Sequence, residues 1–220
     1  MMGENPLNMV VLLGLLALVP FFLMMVTSFV KIAVVLSILR TAIGVQQAPP
    51  NQVITGLAMV LSLYVMAPVG LASWEAAEPY VQQIEAGETA SFSSYKEMLE
   101  KSSAPLKTFL LKHADEDERV LLHELAVELR PQEQRASVKD DDLLIAIPAF
   151  VLTELSEAFT IGFILFVPFL LVDLVVANIL LSLGMHMLSP TTVSLPFKLL
   201  LFVLVDGWYL VIRGLILGYA

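Results

Sequence analysis

Four carboxylic acids stand in the apolar part of this 220-residue chain: Glu154, Glu157, Asp173 and Asp206. An ionised acid at the centre of a bilayer costs about 2.5–3.5 kcal/mol, so four facing lipid would cost roughly 10–14 kcal/mol, comparable to a domain's net stability. They therefore need partners, and the cations in the same apolar parts are Lys31, Arg40, Lys198 and Arg213. Two chemistries are open. The acids can pair with those cations inside a helical assembly, or they can titrate in turn as a proton or ion relay. Nothing in their spacing selects the relay, and pairing is the simpler reading.

A second cluster lies in "LGMHMLSP", Leu183 to Pro190, where Met185 and Met187 flank His186 between two apolar runs. Methionine most often fills gaps in apolar packing, and that is what the residues alone suggest here. Enzymatic signals are poor. "HEL" at His123 lacks the second histidine of a zinc-protease helix, no glycine-rich phosphate loop is present, and no Ser, His and Asp set can be named. His113, His123 and His186 are scattered, and cysteine is absent, which rules out disulfides and thiolate metal sites. The expectation is a protein without catalytic residues, metal or cofactor.

The elements that must position these residues are apolar. Hydrophobic residues make up 58% of the chain and charged residues 15%, with a mean hydropathy of +0.83, which points to an all-α membrane-associated protein. Four stretches are long enough for the roughly 20 residues a bilayer requires: Pro6 to Val30, Val53 to Trp74, Phe159 to Leu183, and Leu195 to Ala220. Proline interrupts or adjoins each one, at Pro20, Pro68, Pro168 and Pro196. Kinked helices of this kind are tolerated where protein buries them. "GLILG", Gly214 to Gly218, has the spacing for close helix approach.

Turns follow from glycine and proline. "RTAIGVQQAPPN", Arg40 to Asn51, joins the first two stretches, and "MLSPTTVSLPF", bounded by Pro190 and Pro196, joins the last two. The organisation reads as a first hairpin (1–74), a hydrophilic insert (75–142) and a second hairpin (143–220). The insert holds 16 of the 21 acids and 8 of the 12 bases, a net charge of −8. No basic surface tracks a nucleic acid, so none is expected as a partner. Within the insert, "DEDERVLLHELAVELRP" places Leu121, Leu122, Leu125 and Leu129 on one helical face, with acids in the first turn. "SYKEMLEK" and "PLKTFLLKH" read as two shorter helices, and "KDDDLLIAIPAF" as the start of another. Lys31, Arg40 and Lys198 hold both turns in the cytoplasm, leaving the insert on the other side, although Arg213 weighs against this. Glu4 stands where a signal peptide would carry a base, so the start is expected to be mature structure.

The segments "MVTSFVKIAVVLSILRTAIGVQQAPPNQVITGLAMVLSLYVMAPVG" and "PAFVLTELSEAFTIGFILFVPFLLVDLVVANILLSLGMHMLSPTTVSLPFKLLLFVLVDGW", with the insert between them, resemble the R subunit of the type III secretion export apparatus, the SctR family related to flagellar FliP. The resemblance covers roughly residues 20 to 215. It implies two kinked helical hairpins in a bacterial inner-membrane protein that assembles into a helical, conical export gate rising largely above the bilayer, with the insert periplasmic. It further implies about five copies with four of one small subunit and one of another (S and T types), contact with the switch/autoprotease subunit, and passage of unfolded substrates. Met185, Met187 and His186 then become candidates for a pore gasket, and Glu154, Glu157, Asp173, Asp206, Lys31, Arg40 and Lys198 become buried subunit-contact charges. His186 stands where an apolar residue is expected, and Thr160 where relatives carry a longer polar side chain. The start "MMGENP" favours the injectisome over the flagellum. A proton-coupled transporter subunit using the buried carboxylates is the alternative.

Overall fold

A computed structural model of the chain describes residues 6–45, 48–85 and 92–220. Glu4 lies outside them, as do Gln46 and Gln47 of the first turn and residues 86–91 of the insert. Every regular element among the described residues is helical: α1 (Pro6–Met25), α2 (Phe29–Ile43), α3 (Asn51–Glu85), α4 (Phe92–His113), α5 (Glu116–Leu129), α6 (Leu143–Ser182), α7 (Pro190–Leu204) and α8 (Gly207–Leu217), with a short 3₁₀ turn at Gln132–Ser137.

The first apolar stretch, expected over Pro6 to Val30 with a kink at Pro20, is instead bent by 69° between α1 and α2. Hydroxyls cause the break. Thr27 Oγ1 accepts the Phe29 N–H at 3.4 Å and so competes with the helical ladder, while the fully buried Ser28 donates to Ser62 of α3 at 3.1 Å and anchors the chain at that point. The bend places Lys31 in the first turn of α2. In turn, α3 continues through Trp74, the expected end of the first hairpin, to Glu85. The drop in hydropathy at Glu75 changes the helix's surroundings without ending it. The two short helices expected in "SYKEMLEK" and "PLKTFLLKH" are one helix, α4, with Pro105 inside. Pro105 costs the Lys101 carbonyl its helical donor, and Lys101 is exposed, where water can replace it.

The long second half is a single 40-residue helix, α6, that absorbs both "LLIAIPAF" and the apolar run beyond it. The turn after it lies earlier than expected, over residues 183–189: Pro190 opens α7 at its first position and Pro196 is inside that helix, as proline's fixed φ permits at a helix start. Gly184 takes a left-handed φ of 72°. Its N–H bonds Leu181 O at 3.1 Å and the Met185 N–H bonds Leu180 O at 2.9 Å, the paired bonds of a Schellman cap. Helices α7 and α8 meet at a 60° bend where Asp206 has φ 51°.

Helix α2 is the centre of the fold. Ile32, Val35, Leu36 and Leu39, spaced at i, i+3, i+4 and i+7, are 0–1% exposed, and they pack with Ile54 and Ala58 of α3, Ala158 and Phe169 of α6 and Phe202 of α7. Gly162 lets α6 approach: a Cβ there would sit 2.5 Å from Ile38 Cδ1. The insert docks through a second cluster, Phe109 and Leu110 of α4 against Ala146, Ala149 and Phe150 of α6 and Tyr219. Residues Asn51–Gln83 and Leu143–Ser182 are each long and apolar enough to cross a membrane, and each bent pair could supply one more crossing. At 1.5 Å per residue α6 extends about 60 Å, twice the roughly 30 Å of a hydrocarbon core.

Candidate functional site

The expected charges form two separate clusters on α6. Glu154 and Glu157, three residues apart, share a helical face, and Lys31 reaches both, at 2.7 Å and 2.6 Å. The Tyr219 hydroxyl donates to the other oxygen of Glu154, and the Lys31 ammonium lies 4.3 Å from the Tyr219 ring centroid. Side chains of Lys31 and Glu154 are 4% and 0% exposed, whereas Glu157 is 53% exposed. Beside them Thr153 accepts the Asp115 N–H at 2.9 Å and donates to Ala149 O at 2.9 Å, tying the start of α5 to α6.

The second cluster surrounds Lys198 of α7, whose ammonium meets Asp173 at 2.6 Å and the Ala42 carbonyl at 3.3 Å. Ser194, one turn before Lys198, donates to the other Asp173 oxygen. Lys198 is 5% exposed and Asp173 24%. Asp173 follows Glu154 by 19 residues on one helix, about 28 Å along its axis. Residues 158–172 between the clusters contain no charge.

Two expected site charges behave differently. Arg40, half-buried, braces the first turn by donating to Pro49 O at 3.2 Å and Asn51 Oδ1 at 2.5 Å. Asp206, expected to be a buried contact with a neighbouring subunit, is exposed within the single chain and stands at the N-terminal edge of α8. Its left-handed backbone, tolerated by a short polar side chain, and Gly207, where a Cβ would lie 2.2 Å from the Phe202 ring, together make the bend. The Glu157 side chain is half-exposed rather than buried.

Met185 is 46% exposed and Met187 98%, with His186 exposed between them, at the tip fixed by the Gly184 cap. No group of three or more His, Cys, Asp or Glu with metal-holding geometry occurs among the described residues. His113 packs on Phe109 and Tyr219, and His123 faces Val138 O at 3.5 Å, so the three histidines stay apart. Sequence reasoning missed Tyr219, Ser194 and Thr153. Ser194 was detectable, being four residues before Lys198 on a helix, but Tyr219 meets Glu154 across 65 residues of chain and leaves no local signal.

Residues 12–215 match the FliP family. The chain is 46% identical over 215 residues to "Yop proteins translocation protein R" of Yersinia pestis, covering 98% of this chain and 97% of that one. It is 42% identical over 217 residues to "Virulence protein YscR" of Salmonella typhimurium, covering 99% and 98%. Similarity to "Flagellar biosynthetic protein FliP" of Caulobacter vibrioides is 46% over 215 residues, covering 97% of this chain and 76% of that one. Identity therefore does not separate the virulence relatives from the flagellar one.

Proposed function

The chain belongs to the FliP family, a membrane component of a protein secretion apparatus that assembles with other subunits, and from that premise we propose that it is the core channel subunit of a type III export gate. In this reading about five copies, joined by S- and T-type small subunits and contacted by the switch/autoprotease subunit, surround a path for unfolded substrates across the bacterial inner membrane. The near-full-length match to secretion components carries the proposal. The length of α6 supports a cone that rises beyond the bilayer, since a helix of about 60 Å cannot be held within about 30 Å of hydrocarbon without extreme tilt.

Met185 and Met187 are the proposed seal. They are exposed on a turn that begins at the Gly184 cap, and unbranched apolar side chains can close against ions yet repack around varied substrates. Replacing both with Ala should let small ions leak through an assembled complex while secretion continues in part. Conductance as low as wild type in an assembled double mutant would remove the assignment, and leakage confined to low pH would shift it to His186. Asp206, exposed in the single chain, is proposed to meet a neighbouring subunit: Asp206→Leu should impair assembly and Asp206→Asn should retain it. The insert is proposed to be periplasmic. Because the chain lacks cysteine, a Ser103→Cys variant tests this cleanly, and labelling only from the cytoplasm would reverse the topology.

The relay alternative finds less support in the geometry. Glu154 and Asp173 each already have a lysine and a hydroxyl, and the two clusters are separated by about 24 Å of uncharged helix between Glu157 and Asp173. Proton flux lost on neutralising one acid, with assembly intact, would revive it.

A further inference from the structure

The insert presents a helix face with no partner among the described residues. No residue of α5 is buried. Its inner side rests on α6 through Leu122, while Leu121, Leu125 and Leu129, at successive i+4 positions, are 49%, 43% and 85% exposed. Asp117, Glu124 and Glu128 are exposed along the outer border of this stripe, within 60° of Leu121 on a 100°-per-residue helical wheel. The cation of the helix itself, Arg119, faces away and approaches Asp140 at 3.8 Å. Arg135, near the helix end, spends its guanidinium on the carbonyls of Arg130 and Glu128.

An apolar stripe bordered on its open side by acids selects its occupant by charge. A second copy of α5 would bring acids against acids. An anionic lipid surface would repel an insert of net charge −8. Helix α4 of another copy is a mixed complement: Lys96 and Lys112 are exposed, but Lys101 and Lys107 are engaged with Glu97 and Asp141, and Glu100, exposed one turn from Lys96, would meet the acids of α5 with another acid. We propose that the Leu121–Leu125–Leu129 face of α5 is a docking site for a basic amphipathic helix of a different protein, its apolar residues seated on the leucines and its Lys or Arg side chains meeting Asp117, Glu124 and Glu128. This surface lies outside the proposed channel function and stands whether or not Met185 and Met187 line a pore.

The test is photo-crosslinking from p-benzoylphenylalanine placed at position 125 of the full chain, in cells making the whole apparatus, with the adducts identified by mass spectrometry. The expected adduct is a peptide of another protein with apolar residues at i, i+4 spacing and neighbouring Lys or Arg. Its yield should fall about tenfold in the Glu124→Lys/Glu128→Lys variant, as reversed charge steering would cause, and should be unchanged in Glu100→Lys, on α4. Adducts to lipid, to a second copy of this chain or to a peptide without basic residues would overturn the proposal, as would no adduct at all or an equal loss in Glu100→Lys. Recovery of the intact complex in each variant separates lost docking from lost assembly.

Discussion

Helix α2 is clamped at both ends by a buried lysine, and the two clamps are built differently. At its first turn Lys31 places a positive charge where the helix dipole is already positive, and two carboxylates and an aromatic face answer it. At its last turn the order is reversed: Lys198 comes from α7 to the Ala42 carbonyl, where the dipole welcomes a cation, and one carboxylate completes the set. The first clamp works against the dipole and depends on side chains alone, the carboxylates and Tyr219, with Glu154 wholly sealed from water. The second is supported by the backbone and keeps Asp173 in partial contact with solvent. A buried charge is as costly as its worst unpaired state, so the clamps should differ in fragility although their ion-pair distances are nearly the same.

Removing each lysine tests that difference directly. Lys31→Met strands Glu154 without water or cation and should destabilise the folded protein by about 3–5 kcal/mol, the usual result of halving a buried pair. Lys198→Met leaves Asp173 partly solvated and bonded to Ser194, and should cost less, about 1–3 kcal/mol. Thermal unfolding of the purified protein in detergent reads both, and equal losses would break the comparison. The combination Lys31→Met with Glu154→Leu sharpens it. Replacing both charges by apolar groups should restore most of the stability, since desolvation of the pair offsets much of its attraction. A smaller effect is expected for Ser194→Ala, about 0.5–1.5 kcal/mol, the worth of an ordinary hydrogen bond.

Mild acid gives the smallest effect and should touch only one clamp. His113 packs edge-on against Tyr219, and burial, then Lys112 and Lys31, hold its imidazole below the ordinary value of 6.5 against the weaker opposing pull of Glu157. The unfolded chain therefore takes up a proton more readily than the folded one, so stability is complete above about pH 6.5 and declines as the pH falls below it. In His113→Phe that decline should be reduced, as measured by the melting temperature between pH 7 and pH 5, with the Lys198→Met penalty the same at both pH values.

Some of this was legible in the sequence and some was not. Acids in an apolar context required cations, so pairing with some of Lys31, Arg40, Lys198 and Arg213 followed from cost, but that Lys31 and Lys198 are the two that pair with acids of α6 did not. The helical character of the insert and the cap of α5 could be read from "DEDERVLLHELAVELRP", where Asp115 accepts the Asp117 N–H at 2.9 Å. Element boundaries were harder. Pro68, Pro105, Pro148 and Pro196 all lie inside helices, because packing outweighs the loss of one hydrogen bond when the neighbouring turns are held. The break at residues 26–28 went unseen, since it depends on Ser28 finding Ser62 across 34 residues. Exposure of Asp206 was equally hidden, as its place is set by a backbone bend rather than by its charge.

The contact between Gly162 and Ile38 bears on how the molecule can deform. With the two backbones this close, sliding α2 along α6 would drive the Ile38 side chain into the next turn, which carries a full side chain in place of glycine. The pair is therefore a stiff spar, pinned in register between its two lysine clamps. Strain applied to the assembly must be taken up elsewhere in the chain, and the more compliant points are the α1–α2 bend and the methionine turn, whereas Gly207 against the Phe202 ring holds the α7–α8 bend as tightly as Gly162 holds the spar. Substituting alanine at Gly162 would shift that division of labour, forcing the spar apart and turning its rigid axis into a third hinge.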